Sequence, residues 1–175
     1  VELCGLPVAT ALVLRVARAR DDERRNELFH SCRVLGPAVA EILATALAEQ
    51  EDRSARRNLL SALVALGDDG LRQAERMVDE TSPWMVVRNG VALLGELGGE
   101  KAVAHLMDTL QHHKPQVRQE TLTALAQIGG ESAALLVTGK LDDPDTRVRA
   151  TAVRASASLK SERVVKLLLG RLDAE

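Results

Sequence analysis

Aromatic residues are almost missing from this chain. One Trp, one Phe and no Tyr occur among 175 residues, although hydrophobic residues make up 46%. A core without rings must be built from Leu, Val, Ala and Ile, which favours close helix–helix contact over thick sheet packing. Cysteine is scarce too. Cys4 and Cys32 are the only two, with no CxxC pair and no neighbouring His at metal spacing. That excludes a disulfide framework and suits a reducing compartment. Neither sign of charge dominates: 23 basic residues face 25 acidic ones, for a net −2. A globally basic nucleic-acid binder carries more excess, and an acidic solvating tail carries fewer apolar residues. No apolar run reaches the roughly 18 residues of a membrane span; "LPVATALVLRVA" is short and broken by Arg15. No basic segment precedes it, so a signal peptide is not expected there. The composition therefore points to a water-soluble, cytoplasmic protein.

What is abundant is helix-forming residue types, chiefly Ala, Leu, Glu and Arg, without long β-branched runs. Their arrangement is periodic. Steps of 31 residues connect Cys4, Leu35, Leu66, Leu97, Ile128 and Leu159, and the next position reads Gly5, Gly36, Gly67, Gly98 and Gly129 before Lys160 breaks it. Parallel columns run through Cys32, Leu63, Leu94, Leu125 and Ser156, through Leu106, Val137 and Leu168, and through Leu110, Leu141 and Leu172. A period of this length marks stacked supersecondary units.

Each unit contains two helical stretches. Residues 100–111 place Ala102, Val103, Leu106 and Leu110 at helical spacing, and residues 115–129 do the same with Val117, Thr121, Leu125 and Ile128. Pro83, Pro115 and Pro144 stand at or near the start of the second helix, where a missing N–H costs nothing. The column glycines follow its end, where a left-handed residue is wanted. Such a hairpin cannot bury its apolar stripe alone and must stack on its neighbours.

The frame "VRxxxxxALxxIGG" recurs from Val87-Arg88 to Gly98, Val117-Arg118 to Gly129 and Val148-Arg149 to Leu159, with weaker copies at 56–67 and 24–36. It resembles HEAT-like repeats, specifically the short 31-residue type found in phycobilin lyases and bacterial scaffolds. The resemblance implies an all-α fold: a right-handed α-solenoid of antiparallel helix hairpins, about five repeats and roughly 11 helices. It covers residues 1–175 as a single repeat domain. Residues 1–5 read as the last turn of a second helix, and residues 161–173 as a first helix without its partner. The chain is accordingly expected to be a segment of a longer protein.

HEAT-like folds serve unrelated functions, so the site must be argued from residues. The resemblance implies a structural ladder of Arg57, Arg88, Arg118 and Arg149, each pairing with an Asp of the preceding turn. Only Asp143, six residues before Arg149, fits that spacing; His112 and Ser82 stand at the corresponding places before Arg118 and Arg88. The alternative for this column, with Arg24, Arg25 and Arg56 added, is a ridge that contacts phosphate. The turn His112, His113, Lys114 offers half a metal site at most and reads as a solvated turn or a partner contact. Trp84 and Met85 are either packing residues or a binding anchor.

In HEAT-type arrays the second helices line the inner surface. Asn58, Asn89, Glu120 and Thr151 form one polar row there, with Thr123 and Arg154 in a second and Glu96 and Gln127 in a third. The paired His-Glu motifs that hold a di-iron site in one HEAT-like hydroxylase family are missing, and no catalytic constellation stands out. The function expected is a non-catalytic scaffold that binds a partner protein, or another domain of its own chain, through the concave helix face and turn ridge. No cofactor, metal or membrane contact is expected. The alternative is a nucleic-acid-binding array of the DNA-glycosylase type using the Arg ridge, and more distantly a bilin-lyase-like subunit.

Overall fold

A computed structural model describes residues 2–159 together with Ser161 and Val164, without the side chains of residues 2–6. The described residues form ten α-helices and no strand: α1 (Glu2–Arg18), α2 (Asp22–Leu35), α3 (Pro37–Glu49), α4 (Arg53–Ala65), α5 (Asp68–Met77), α6 (Trp84–Leu97), α7 (Gly99–Thr109), α8 (Pro115–Ile128), α9 (Gly130–Thr138) and α10 (Thr146–Leu159). The fold class is the expected α-solenoid of helix hairpins. Of the eleventh helix expected over 161–173, only Ser161 and Val164 are among the described residues; Leu168 and Leu172 lie outside them.

Two compact units divide the chain, Val1–Met77 and Val78–Glu175. In the first unit α4 packs against α1, α2, α3 and α5. In the second, α6, α8 and α10 lie side by side, with α7 and α9 packed on α8 and α9 also on α10. Some periodic columns supply the cores, while the column just before the glycines stays at the margin, with Leu66, Leu97, Ile128 and Leu159 half-buried and Leu35 exposed. Cys32, Leu63, Leu94 and Leu125 are fully buried, as are Leu106 and Val137. Burial pushes the Cys32 thiol up to about 11, so it stays protonated and inert. Ser156 continues the leucine column and is buried, but its hydroxyl has no hydrogen-bond partner among the described residues.

The punctuation follows the sequence reading with one refinement. Pro83 caps α6 and Pro115 opens α8, while Pro144 precedes α10 by two residues. Gly98 and Gly129 end α6 and α8, each N–H bonding the carbonyl four residues back, and each also caps the helix that follows. Their φ values are 73° and 76°, but ψ is −172° and −166° rather than the left-handed helical value. That backbone region is essentially confined to glycine. Gly99 and Gly130, next in the chain, also have positive φ, 83° and 85°, so a glycine pair turns the chain from one helix into the next. The Gly5 stop is not realised: α1 runs continuously through Gly5 and Pro7. Residues 2–5 therefore run on into a longer helix rather than end one.

Candidate functional site

Side-by-side packing of α6, α8 and α10 turns their outward residues into one surface. An open cavity of about 530 Å³ lies there, its polar lining including Arg88 from α6, Gln119, Glu120 and Thr123 from α8, and Arg154 from α10. Helical spacing explains the α8 contribution, since positions 116, 119, 120 and 123 share a face. Arg154 donates from Nη2 to the Thr151 hydroxyl at 3.0 Å, which fixes its guanidinium at the rim. Two cations and one carboxylate thus meet a set of neutral hydrogen-bonding groups. Gln116 and Gln119 belong to this lining and escaped the sequence reading, although their spacing to Glu120 and Thr123 was visible.

The remaining residues of the three expected rows separate. Glu96 and Gln127 are exposed on their helices but do not line the cavity. Asn58 and Asn89 are not surface groups at all, with 4% and 6% of their area exposed. The Asn58 amide donates to the Ala19 carbonyl at 2.8 Å and the Ala17 carbonyl at 3.4 Å, satisfying the C-terminal end of α1. Asn58 points into a helix contact, because α4 packs on α1 on that side, whereas Glu120 of the same row reaches the cavity. Trp84 is half-buried and Met85 is 52% exposed at the start of α6, and neither borders the cavity.

The arginine column resolves into different roles, and the ladder expectation needs correction. Arg118 grips Asp143 in a fork, Nε to Oδ2 at 2.9 Å and Nη2 to Oδ1 at 2.7 Å, and its Nη1 donates to the His112 carbonyl at 2.8 Å. The Asp143 carboxylate therefore belongs to the arginine of the previous repeat. Arg149 instead donates to the main-chain carbonyl of Asp143 at 2.8 Å and to Pro144 at 3.1 Å. Burial alone would raise the Asp143 carboxyl, but hydrogen bonds from Arg118 and the Asp145 N–H, with the charges of Arg118 and Lys140, bring it below its ordinary value. The 25-residue offset of this pair carries Arg88 to His113, which supplies no carboxylate. Arg88 and the exposed Arg57 accordingly make no ion pair among the described residues, and the ladder has one acidic rung.

The His112, His113, Lys114 turn sits apart from the α6–α8–α10 cavity and borders a second one of about 300 Å³ with Glu80, Val87 and Asp108. The two imidazoles stack with centroids 4.4 Å apart. His112 accepts from the Lys114 N–H at 3.1 Å, and burial, then the charge of His113, lowers its pKa. Among the described residues no group of three or more His, Cys, Asp or Glu side chains could hold a metal ion, and no helix is long and apolar enough to cross a membrane.

The sequence profile of HEAT repeats matches residues 74–139 and 109–175, more than half of the chain. The chain belongs to the HEAT-repeat family. Among solved structures, human deoxyhypusine hydroxylase in complex with glycerol aligns with a TM-score of 0.55 and 22% identity over 69% of this chain. The chain spans only 43% of that protein's length. The complex of CpcE and CpcF of phycocyanin lyase from Nostoc aligns with a TM-score of 0.53 and 24% identity, covering 95% of this chain and 70% of that one. An engineered protein gives a TM-score of 0.52 at 19% identity over 87% and 43% of the two chains. These likenesses concern the fold. No curated protein matches the chain by sequence. The fold is the helical-repeat kind typical of protein-interaction scaffolds.

Proposed function

We propose that the protein is a non-catalytic interaction scaffold of the cytoplasm, binding a partner protein or another domain of its own chain on the face formed by α6, α8 and α10. The observation that carries this reading is the open cavity that holds Arg88, Glu120, Thr123 and Arg154 together on three adjacent helices. Its groups are hydrogen-bonding and mixed in charge, suited to main-chain amides and polar side chains of an extended segment. Helices locked by their own cores present these groups without an ordering cost on binding. Glu96 and Gln127 would extend the contact along the same helices, while Trp84, Met85 and the His112–Lys114 turn offer separate contacts at helix starts and turns.

A photo-crosslinking side chain placed at Thr123, and separately at Met107 on α7, tests the assignment in the whole protein. A discrete crosslinked polypeptide from position 123, lost on adding Arg154→Glu and not formed from position 107, is the expected result. Equal crosslinking from both positions would remove the face from consideration. Crosslinking from position 123 to nucleic acid would favour the phosphate-binding reading instead.

A further inference from the structure

A different surface, in the first unit, carries an inference of its own. Helices α1 and α2 pack against each other as a hairpin closed by residues 19–21. Along the outer side of α1, Val8 and Leu12 give way to Arg15 and Arg18, one helical turn apart at each step. The antiparallel α2 changes in the same direction, from Arg24 near the hairpin corner to Val34 and Leu35 at its far end. The groove between them is therefore polarised along its length.

Its apolar half is a cavity of about 540 Å³ over Val8, Leu12, Val34 and Leu35, with Arg15 at one side. Val8 and Val34 are 60% and 75% exposed, unusual for branched apolar side chains in a helix hairpin. The basic half is a cavity of about 300 Å³ lined by Leu14, Arg15, Arg18, Arg20 and Arg24, with one carboxylate, Asp21, which accepts from the Arg24 N–H. Arg15 borders both, so the two halves are continuous. Arg15, Arg18, Arg20 and Arg24 are exposed and form no ion pair among the described residues. By contrast, the adjacent Arg25 is taken up by Asp22. One or two cations would suffice to complement the C-terminal dipole of α1; four free guanidiniums around one corner exceed that need.

We infer that this groove docks an acidic amphipathic segment of a partner protein. Its apolar side chains lie over Val8, Leu12 and Val34, and its carboxylates lie on the arginine corner. Guanidinium forks match carboxylates bidentately, which sets the direction of the segment as well as holding it. A helix of about ten residues is ~15 Å long, comparable to the run from Val8 to Arg18. A nucleic-acid strand fits less well. Half of the groove is apolar, and the one ring in its lining, His30, is too few for a base-stacking platform. The surface lies outside the α6–α8–α10 face, so the inference stands or falls independently of the scaffold reading there.

The test is selection of displayed random peptides of about 15 residues on the full chain, followed by affinity measurement for a synthesised enriched peptide. Enriched sequences should pair apolar residues at helical spacing with an Asp/Glu cluster at one end. Binding should weaken about tenfold or more with Val34→Asp or Val34→Ser, and likewise with Arg15→Glu plus Arg18→Glu. It should also weaken with added salt and fail when the apolar and acidic halves of the peptide are exchanged. Circular dichroism of each variant checks that these exposed substitutions leave the fold intact. Enriched peptides without acidic residues, or affinity unmoved by both sets of variants, would overturn the inference. So would displacement of the peptide by generic duplex DNA at equal charge, or a dimer of the chain that Val34→Asp disperses.

Discussion

Arg118 and Asp143 show how much one buried pair can matter in a fold otherwise made of small apolar side chains. Both side chains are almost enclosed, at 9% and 1% exposure, and the guanidinium also satisfies the His112 carbonyl. Truncating one partner strands the other charge in the interior, so Arg118→Ala should cost about 3–5 kcal/mol in denaturant unfolding. Replacing both at once by apolar residues, Arg118→Met with Asp143→Leu, should cost much less. A double variant as unstable as Arg118→Ala would show that shape, not charge, is at stake. The pair also sets a pH dependence. The folded-state pKa of Asp143 lies below its usual value, so its contribution is complete above the unfolded-state value of about 3.9 and is lost as pH falls through the folded value. Asp143→Asn should thus be less stable than the parent at neutral pH, with the gap closing below about pH 4. A gap that persists unchanged in acid would contradict the assignment. Both residues were legible in the sequence, yet their pairing was not. Spacing within a turn shows which residues are near in the chain, whereas the fork reaches across repeats to a residue 25 positions away.

Helices α6 and α8 approach so closely at Gly95 that a Cβ there would sit 2.8 Å from the Ala124 Cβ and 2.9 Å from its Cα. Close approach of this kind is what a core without aromatic rings permits, and it brings Arg88 and Thr123 to the same cavity. Gly95→Ala should force the helices apart and cost about 1–3 kcal/mol, read as a lower melting temperature. Adding Ala124→Gly should recover part of that loss and not all of it, because the Ala124 backbone is also within reach. No loss in Gly95→Ala would mean the two helices are not packed at this distance. Most of the helix pattern could be read from sequence, since apolar columns, prolines and glycine stops repeat in step. Two things were not readable. One helix, α1, runs through its column glycine, Gly5, although the column marks a stop there. Rows of polar residues such as Asn58 and Asn89 look like surface until the neighbouring helix is placed over them, as α1 is over Asn58.

Repeat spacing records the build of each hairpin, whereas the packing groups the chain into two compact units, Val1–Met77 and Val78–Glu175. Each unit has its own buried leucines: Leu43, Leu47, Leu59 and Leu63 in the first, Leu93, Leu94, Leu106, Leu122 and Leu125 in the second. In repeat proteins, stability sums over units and their nearest-neighbour contacts, so a local lesion should loosen the unit that contains it before the rest. Native-state hydrogen exchange on Arg118→Ala offers a direct reading. Amides of α6, α8 and α10, whose ladders surround the broken pair, should lose protection by several orders of magnitude. Amides of α3 and α4, buried around Leu43 and Leu59, should exchange nearly as in the parent. Equal loss of protection in both units would mean that they unfold as one cooperative body. In that case the sequence period would describe the energetic unit better than the packing does.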